Sequence, residues 1–193
     1  MSIVVPAEAA EGRLIRAARP VGGRMKPLFG WHRPGMNLLG IYLNDHLAGA
    51  TAGVELARRV AGTHKGKTSG ETFRHLATEI AEDRDALLRI MRALGVPVQQ
   101  YKVYAGWIAE KIGRFKPNGH LTSRSPLSDL VELEAMRLGI EGKASGWRSL
   151  RAVADHDDRL SGEELDELLA RARRQAETVE ELRTEIAGAV FGG

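Results

Sequence analysis

The chain contains no cysteine, which excludes disulfides, thiolate catalysis and every cysteine-based zinc or iron–sulfur centre. Aromatic residues are scarce at 5%, so any core must be largely aliphatic. Long apolar runs are also missing. Ile3–Val5 is the longest before Arg13, and nothing approaches the roughly 20 residues of a membrane span. The expected location is therefore cytoplasmic. Strand-like alternation of useful length and internal repeats are absent as well, which leaves helices as the building material.

What is present suits one folded domain. With 193 residues, 43% hydrophobic and 27% charged, the chain can bury a core without staples. The net charge of +3 is small but unevenly spread. Residues 1–36 carry six Arg or Lys against Glu8 and Glu11, and residues 100–125 carry five against Glu110. Each segment thus has a surplus of +4, and the remainder sums to −5. An acidic body with so small a net charge makes a duplex nucleic-acid binder unexpected.

Arg19-Pro20-Val21-Gly22-Gly23 and His32-Arg33-Pro34-Gly35 interrupt regular structure, so residues 1–36 read as an irregular N-terminal arm before a helical domain, 37–193. Asn37 as N-cap opens a first helix to about Ala61, with Gly62 as its stop. Thr68-Ser69-Gly70-Glu71 is a capping box for a second helix, which Gly95 and Pro97 end. The next 30 residues, Val96 to Ser125, hold a shorter helix over about Gln99–Ile112. Ser125 with Pro126 at the first helical position starts a third helix to about His156. A capping box at Ser161-Gly162-Glu163-Glu164 opens a fourth, ending near Ala187.

Connection lengths select the topology. The first and last are short, so each joins an antiparallel hairpin. The long middle one can cross the whole bundle and set the third helix parallel to the second. The predicted fold is an all-α four-helix bundle of ferritin-like arrangement, with one long crossover containing an extra short helix. Two stretches add to this. His75-Leu76-Ala77-Thr78-Glu79-Ile80-Ala81-Glu82-Asp83 resembles the second bundle helix of ferritin-like, rubrerythrin-related bacterial proteins, and Leu168-Leu169-Ala170-Arg171-Ala172-Arg173-Arg174-Gln175 is similar to their fourth. The resemblance spans roughly residues 37–187. It implies a bundle that often holds two iron or manganese ions, with one Glu and one Glu-x-x-His from each hairpin.

This chain departs from that ligand pattern. On the second helix the apolar stripe is Phe73, Leu76, Ile80, Leu87, Met91 and Leu94; Asp83 falls within it, Glu79 at its edge and Glu82 nearly opposite. Glu79 and Asp83 are spaced by four, and Asp stands where His is expected. Folding back the first helix brings Asp45 and His46 to the level of Asp83 and Arg84. Glu141 on the third helix is a further candidate ligand. The metal set is thus Asp45, His46, Glu79, Asp83 and Glu141, suited to a hard divalent cation such as iron or manganese. Plainer readings pair Asp83 with Arg84 in a polar layer, Asp45 with Arg84, and Glu141 with Arg137, with His46 as a satisfied core residue. The fourth helix offers only Gln175 on its inner stripe and Thr178 facing away, so a di-metal site loses one whole helix of ligands.

The third helix has two apolar faces. Leu133-Met136-Ile140-Ala144-Trp147-Ala154 suits the core, and Leu127, Val131, Leu138 and Val153 suit a homodimer contact. Gly139, Gly142 and Gly146 suggest close helix approach between turns. In the crossover, Tyr101, Tyr104, Trp107 and Phe115 alternate with basic residues. With Lys111 they form either a cap over the bundle, lysines reaching into water, or a docking surface for a protein partner or an anionic surface. Asp155-His156-Asp157-Asp158 reads as a capped, solvated turn. The sequence therefore favours a non-catalytic bundle, with no catalytic residues and no cofactor, that acts by assembly or partner binding. The alternative is a di- or mononuclear iron or manganese protein.

Overall fold

The computed structural model of this chain describes residues 38–99 and 126–192. The predicted arm 1–36, the predicted caps Asn37 and Ser125, nearly all of the predicted crossover helix, and Tyr101, Tyr104, Trp107, Lys111 and Phe115 lie outside the described residues. Four α-helices account for most of what is described: α1 Leu38–Thr63, α2 Gly70–Ala93, α3 Pro126–Ala154 and α4 Gly162–Phe191. No helix among the described residues is long and apolar enough to cross a membrane.

Helix ends follow local chemistry. Past the C-cap Leu94, Gly95 takes a positive φ of 70°. The Gly95 amide then donates to the Arg92 carbonyl at 3.0 Å and the Val96 amide to the Met91 carbonyl at 2.9 Å, while both apolar side chains are buried. These paired bonds satisfy carbonyls that a helix end otherwise leaves bare. Ser161 likewise caps α4, its hydroxyl accepting from the Glu164 amide at 3.2 Å.

Three predicted boundaries are corrected. Gly62 does not stop α1. The His64 amide reaches the Val60 carbonyl at 3.1 Å, and the buried His64 ring packs on Phe73 at 4.4 Å, so tertiary burial outweighs the roughly 1 kcal/mol helix penalty of one glycine. The capping box at Thr68 does not form. Ser69 is the N-cap but is itself helical and makes no side-chain cap bond, while Glu71 pairs with Arg74. Gly70 opens α2 because a Cβ there would lie 2.5 Å from the His64 carbonyl oxygen. Finally, α4 runs past Gly188 to Phe191, since Gly188 does not adopt the positive φ that ends a helix.

Side-chain contacts give the helix directions. Asn44 near the start of α1 bonds to Pro97 and Gln99 beyond the end of α2, and His64 meets Phe73 at the other end. The pair α1–α2 is antiparallel. On α3–α4, Glu134 approaches Arg183, Arg137 pairs with Glu180, and Arg151 pairs with Asp166. On α1–α3, Tyr42 bonds to Ser149, Arg59 to Glu132, and His64 lies 3.5 Å from Asp129. On α2–α4, Arg89 pairs with Glu164 and Arg171 with Glu82. Each of these neighbours is antiparallel, so α2 and α3 run parallel across the diagonal.

The core is mostly aliphatic, with Leu43, Leu47, Val60, Met91, Leu133, Leu150, Leu165 and Val179 almost wholly buried around Phe73 and Trp147. Asp83 and Gln175 are buried equally deeply, each 1% exposed. They mark the polar centre.

Candidate functional site: a polar centre beside an apolar cavity

Asp83 sits on the inner stripe of α2, where a carboxylate is costly unless other groups replace its water. Three groups do. The Lys143 ammonium on α3 donates to Asp83 Oδ2 at 2.5 Å and to Gln175 Oε1, also at 2.5 Å. The Gln175 amide on α4 donates to Asp83 Oδ2 and to Glu79 Oε2, both at 3.2 Å. Arg171 Nη2 lies 2.5 Å from Asp83 Oδ1, in a contact without hydrogen-bond alignment, while its Nη1 donates to Glu82 at 3.2 Å. Burial pushes the Lys143 ammonium below its usual range; Asp83 opposes that shift, whereas Arg171 adds to it. One carboxylate thus ties three helices together and balances two cations.

The sequence-predicted ligands do not converge. Glu79 and Asp83 share this cluster, linked through Gln175. Asp45 and His46 line a cavity whose wall also includes Asp83, Arg84 and Lys143. His46 is half-buried, its ring centroid 4.5 Å from that of Tyr42 in an edge-on arrangement. Burial lowers its pKa and Asp45 partly restores it. Glu141 is exposed and 4.0 Å from Arg148, not paired with Arg137, which turns to Glu180. Arg84 pairs with Asp85 at 3.1 Å rather than with Asp83 or Asp45. Among the described residues no three His, Asp or Glu side chains could hold one metal ion. The donor set does not fit the two-ion centre that the resemblance implies, because Lys143 and Arg171 already occupy the Asp83 oxygens.

Lys143 is the residue that sequence reasoning missed. Met136, Ile140, Lys143 and Trp147 are spaced by four, three and four, so the lysine falls on the inner face of α3. That periodicity was the available signal. The long aliphatic stem lets a lysine occupy such a position while its ammonium finds a partner.

The cavity itself is about 450 Å³ and lies among α1, α2 and α3. Leu87, Ile140, Trp147 and Leu150 form its apolar depth; Gly49, Gly53, Gly139 and Gly142 form much of its walls. These glycines do not mediate close approach, contrary to the sequence expectation for Gly139 and Gly142. A Cβ built on any of the four meets nothing within 4 Å. Gly146 alone is tight, its Cβ position lying 3.0 Å from His46 Nδ1.

Comparison with known proteins finds no family model, no curated protein and no solved structure that matches this chain.

Proposed function

We propose that this protein is a ferritin-like bundle that works by assembly and partner binding rather than by metal redox catalysis. The observation that carries this reading is the Lys143 ammonium 2.5 Å from Asp83 Oδ2. A cation fixed to the protein stands where a metal-bearing bundle needs a free carboxylate. Two antiparallel hairpins with α2 parallel to α3 support the ferritin-like part. An iron or manganese site would require Asp83 to release both Lys143 and Arg171. Elemental analysis of untagged protein purified without chelator tests this. The expected result is no stoichiometric iron or manganese; stoichiometric metal that disappears in Asp83→Ala would overturn the proposal.

The assembly surface we assign is the outer face of α3. Leu138 is 74% exposed, and Leu127 and Val153 are 43% and 45% exposed. Ile140 and Trp147, on the other face, are buried. A helix that has already filled one core with one stripe has no use for a second in water, and a homodimer covers it. Binding of a protein partner or an anionic surface through the basic aromatic crossover belongs to the same reading and rests on sequence.

A further inference from the structure

The midpoint of α3, Pro126–Ala154, is Ile140, whose side chain is buried in the core. On the outward side the uncharged residues fall in pairs equidistant from that midpoint. Leu138 is matched by Gly142, and Val131 by Ser149. Ala135 is matched by Ser145, and Leu127 by Val153. Steps of three and four residues separate neighbours on this line, so it stays within about a quarter of the helix circumference. Val131 is half-buried and the others are exposed.

A line symmetric about its own centre is complementary to a second copy of itself turned end for end. An antiparallel pair centred on Ile140 sets each residue against its match in the other copy, in the layers of an antiparallel coiled coil. Leu138, 74% exposed, then covers Gly142, where a Cβ built on the backbone meets nothing within 4 Å. Val131 covers Ser149 in the same way, large against small, as interdigitating helices require. A parallel pair would instead set Leu138 on Leu138 and leave the two Gly142 positions facing each other. The polar groups on the line can also go dry. The Ser145 hydroxyl donates to the Glu141 carbonyl and the Ser149 hydroxyl to the Ser145 carbonyl, both at 3.0 Å, so neither donor would be orphaned in a contact. Flanking charges fit the same register. Glu134 comes within a helical turn of the other copy's Arg148, whereas parallel helices would oppose like charges. The two Glu141 carboxylates meet near the axis, each with Arg148 4.0 Å away on its own helix.

We infer that two copies join through α3 as an antiparallel pair crossing at Ile140, with Leu138 of each seated on Gly142 of the other. The inference rests on the homodimer reading of this face and adds to it the partner element, the direction and the register.

Because the chain has no cysteine, introduced thiols report the register directly. The full-length double variant Val131→Cys/Ser149→Cys should become a covalent dimer on mild oxidation with diamide, read as a doubled mass on non-reducing gels. Val131→Cys alone and Ser149→Cys alone should each remain a single chain. The two positions lie about 27 Å apart along one helix, too far for a disulfide within a chain. Gly142→Leu fills the seat of Leu138 and should raise the dimer dissociation constant about tenfold or more with the helical circular dichroism unchanged. A wild type that light scattering shows to be a single chain overturns the homodimer reading and this inference together. A dimeric wild type in which Val131→Cys alone cross-links, or in which the double variant does not, overturns this inference and leaves the homodimer reading standing. Gly142→Leu protein that dimerises as tightly as the wild type has the same consequence.

Discussion

Asp83 is the residue on which three helices agree, and its partners determine what the centre can do. Removing Lys143 as Lys143→Met leaves a carboxylate that is 1% exposed with Arg171 and Gln175 only. Stripping a partner from a buried ion costs about 3 kcal/mol, so a drop of that order is expected in urea unfolding. Combined with Asp83→Asn, the loss should be less than additive by about 2 kcal/mol, the signature of direct contact. Additive losses would show that the ion pair contributes little. His46 gives a pH dependence at the same scale. Its folded pKa is lowered from 6.5 by burial against Tyr42 and Gly146, with Asp45 acting the other way. The unfolded chain therefore binds the proton first, and stability should fall as pH drops through 6.5 toward the folded value, then level off. His46→Gln should flatten that part of the profile, and an unchanged profile would assign the acid sensitivity elsewhere. The inward placement of Asp83 and Gln175 was legible from the 3.6-residue period. Their partner was not, because a lysine is ordinarily a surface residue and only its register on α3 marks it as inward.

At the level of elements, the glycines of α3 separate two physical roles. Gly139→Ala adds a Cβ into open space and should stabilise the helix by about 1 kcal/mol. Gly146→Ala gains the same propensity but places its Cβ 3.0 Å from the His46 ring, which must shift. The Ala substitution should therefore raise the melting temperature at Gly139 and raise it less, or lower it, at Gly146. Equal shifts would contradict the difference in packing. The positions of these glycines on the helix are legible in the sequence, but whether a neighbour faces them is not. A close approach and an open wall use the same residue for opposite reasons. Helix boundaries divide in a similar way. Gly95, with Pro97 beyond it, and Ser161, with Glu164 three residues on, ended and opened helices by local rules. Gly62 and Thr68 did not, because the His64 ring buried against Phe73 reorganises the turn between α1 and α2.

For the whole molecule, loop lengths predicted two hairpins and a parallel α2–α3 pair. The contacts from Tyr42–Ser149 to Arg89–Glu164 agree with those directions. The proposed assembly rests on surfaces rather than connections. The outer face of α3 exposes Leu138, Leu127 and Val153, with Val131 half-buried beside them. Burying a fully exposed side chain of this kind contributes about 1.5–3 kcal/mol before association costs, and Leu138, 74% exposed, has the most to gain from the proposed contact. Leu138→Arg places a charge at the centre of that face and should yield a folded monomer with an unchanged circular dichroism spectrum. The measurement that most directly tests a protein working by assembly is multi-angle light scattering of the untagged full-length chain at micromolar concentration, beside Leu138→Arg. The account predicts twice the 21.1 kDa chain mass for the wild type and a single chain mass for the variant; a wild type that elutes as a single chain would contradict it.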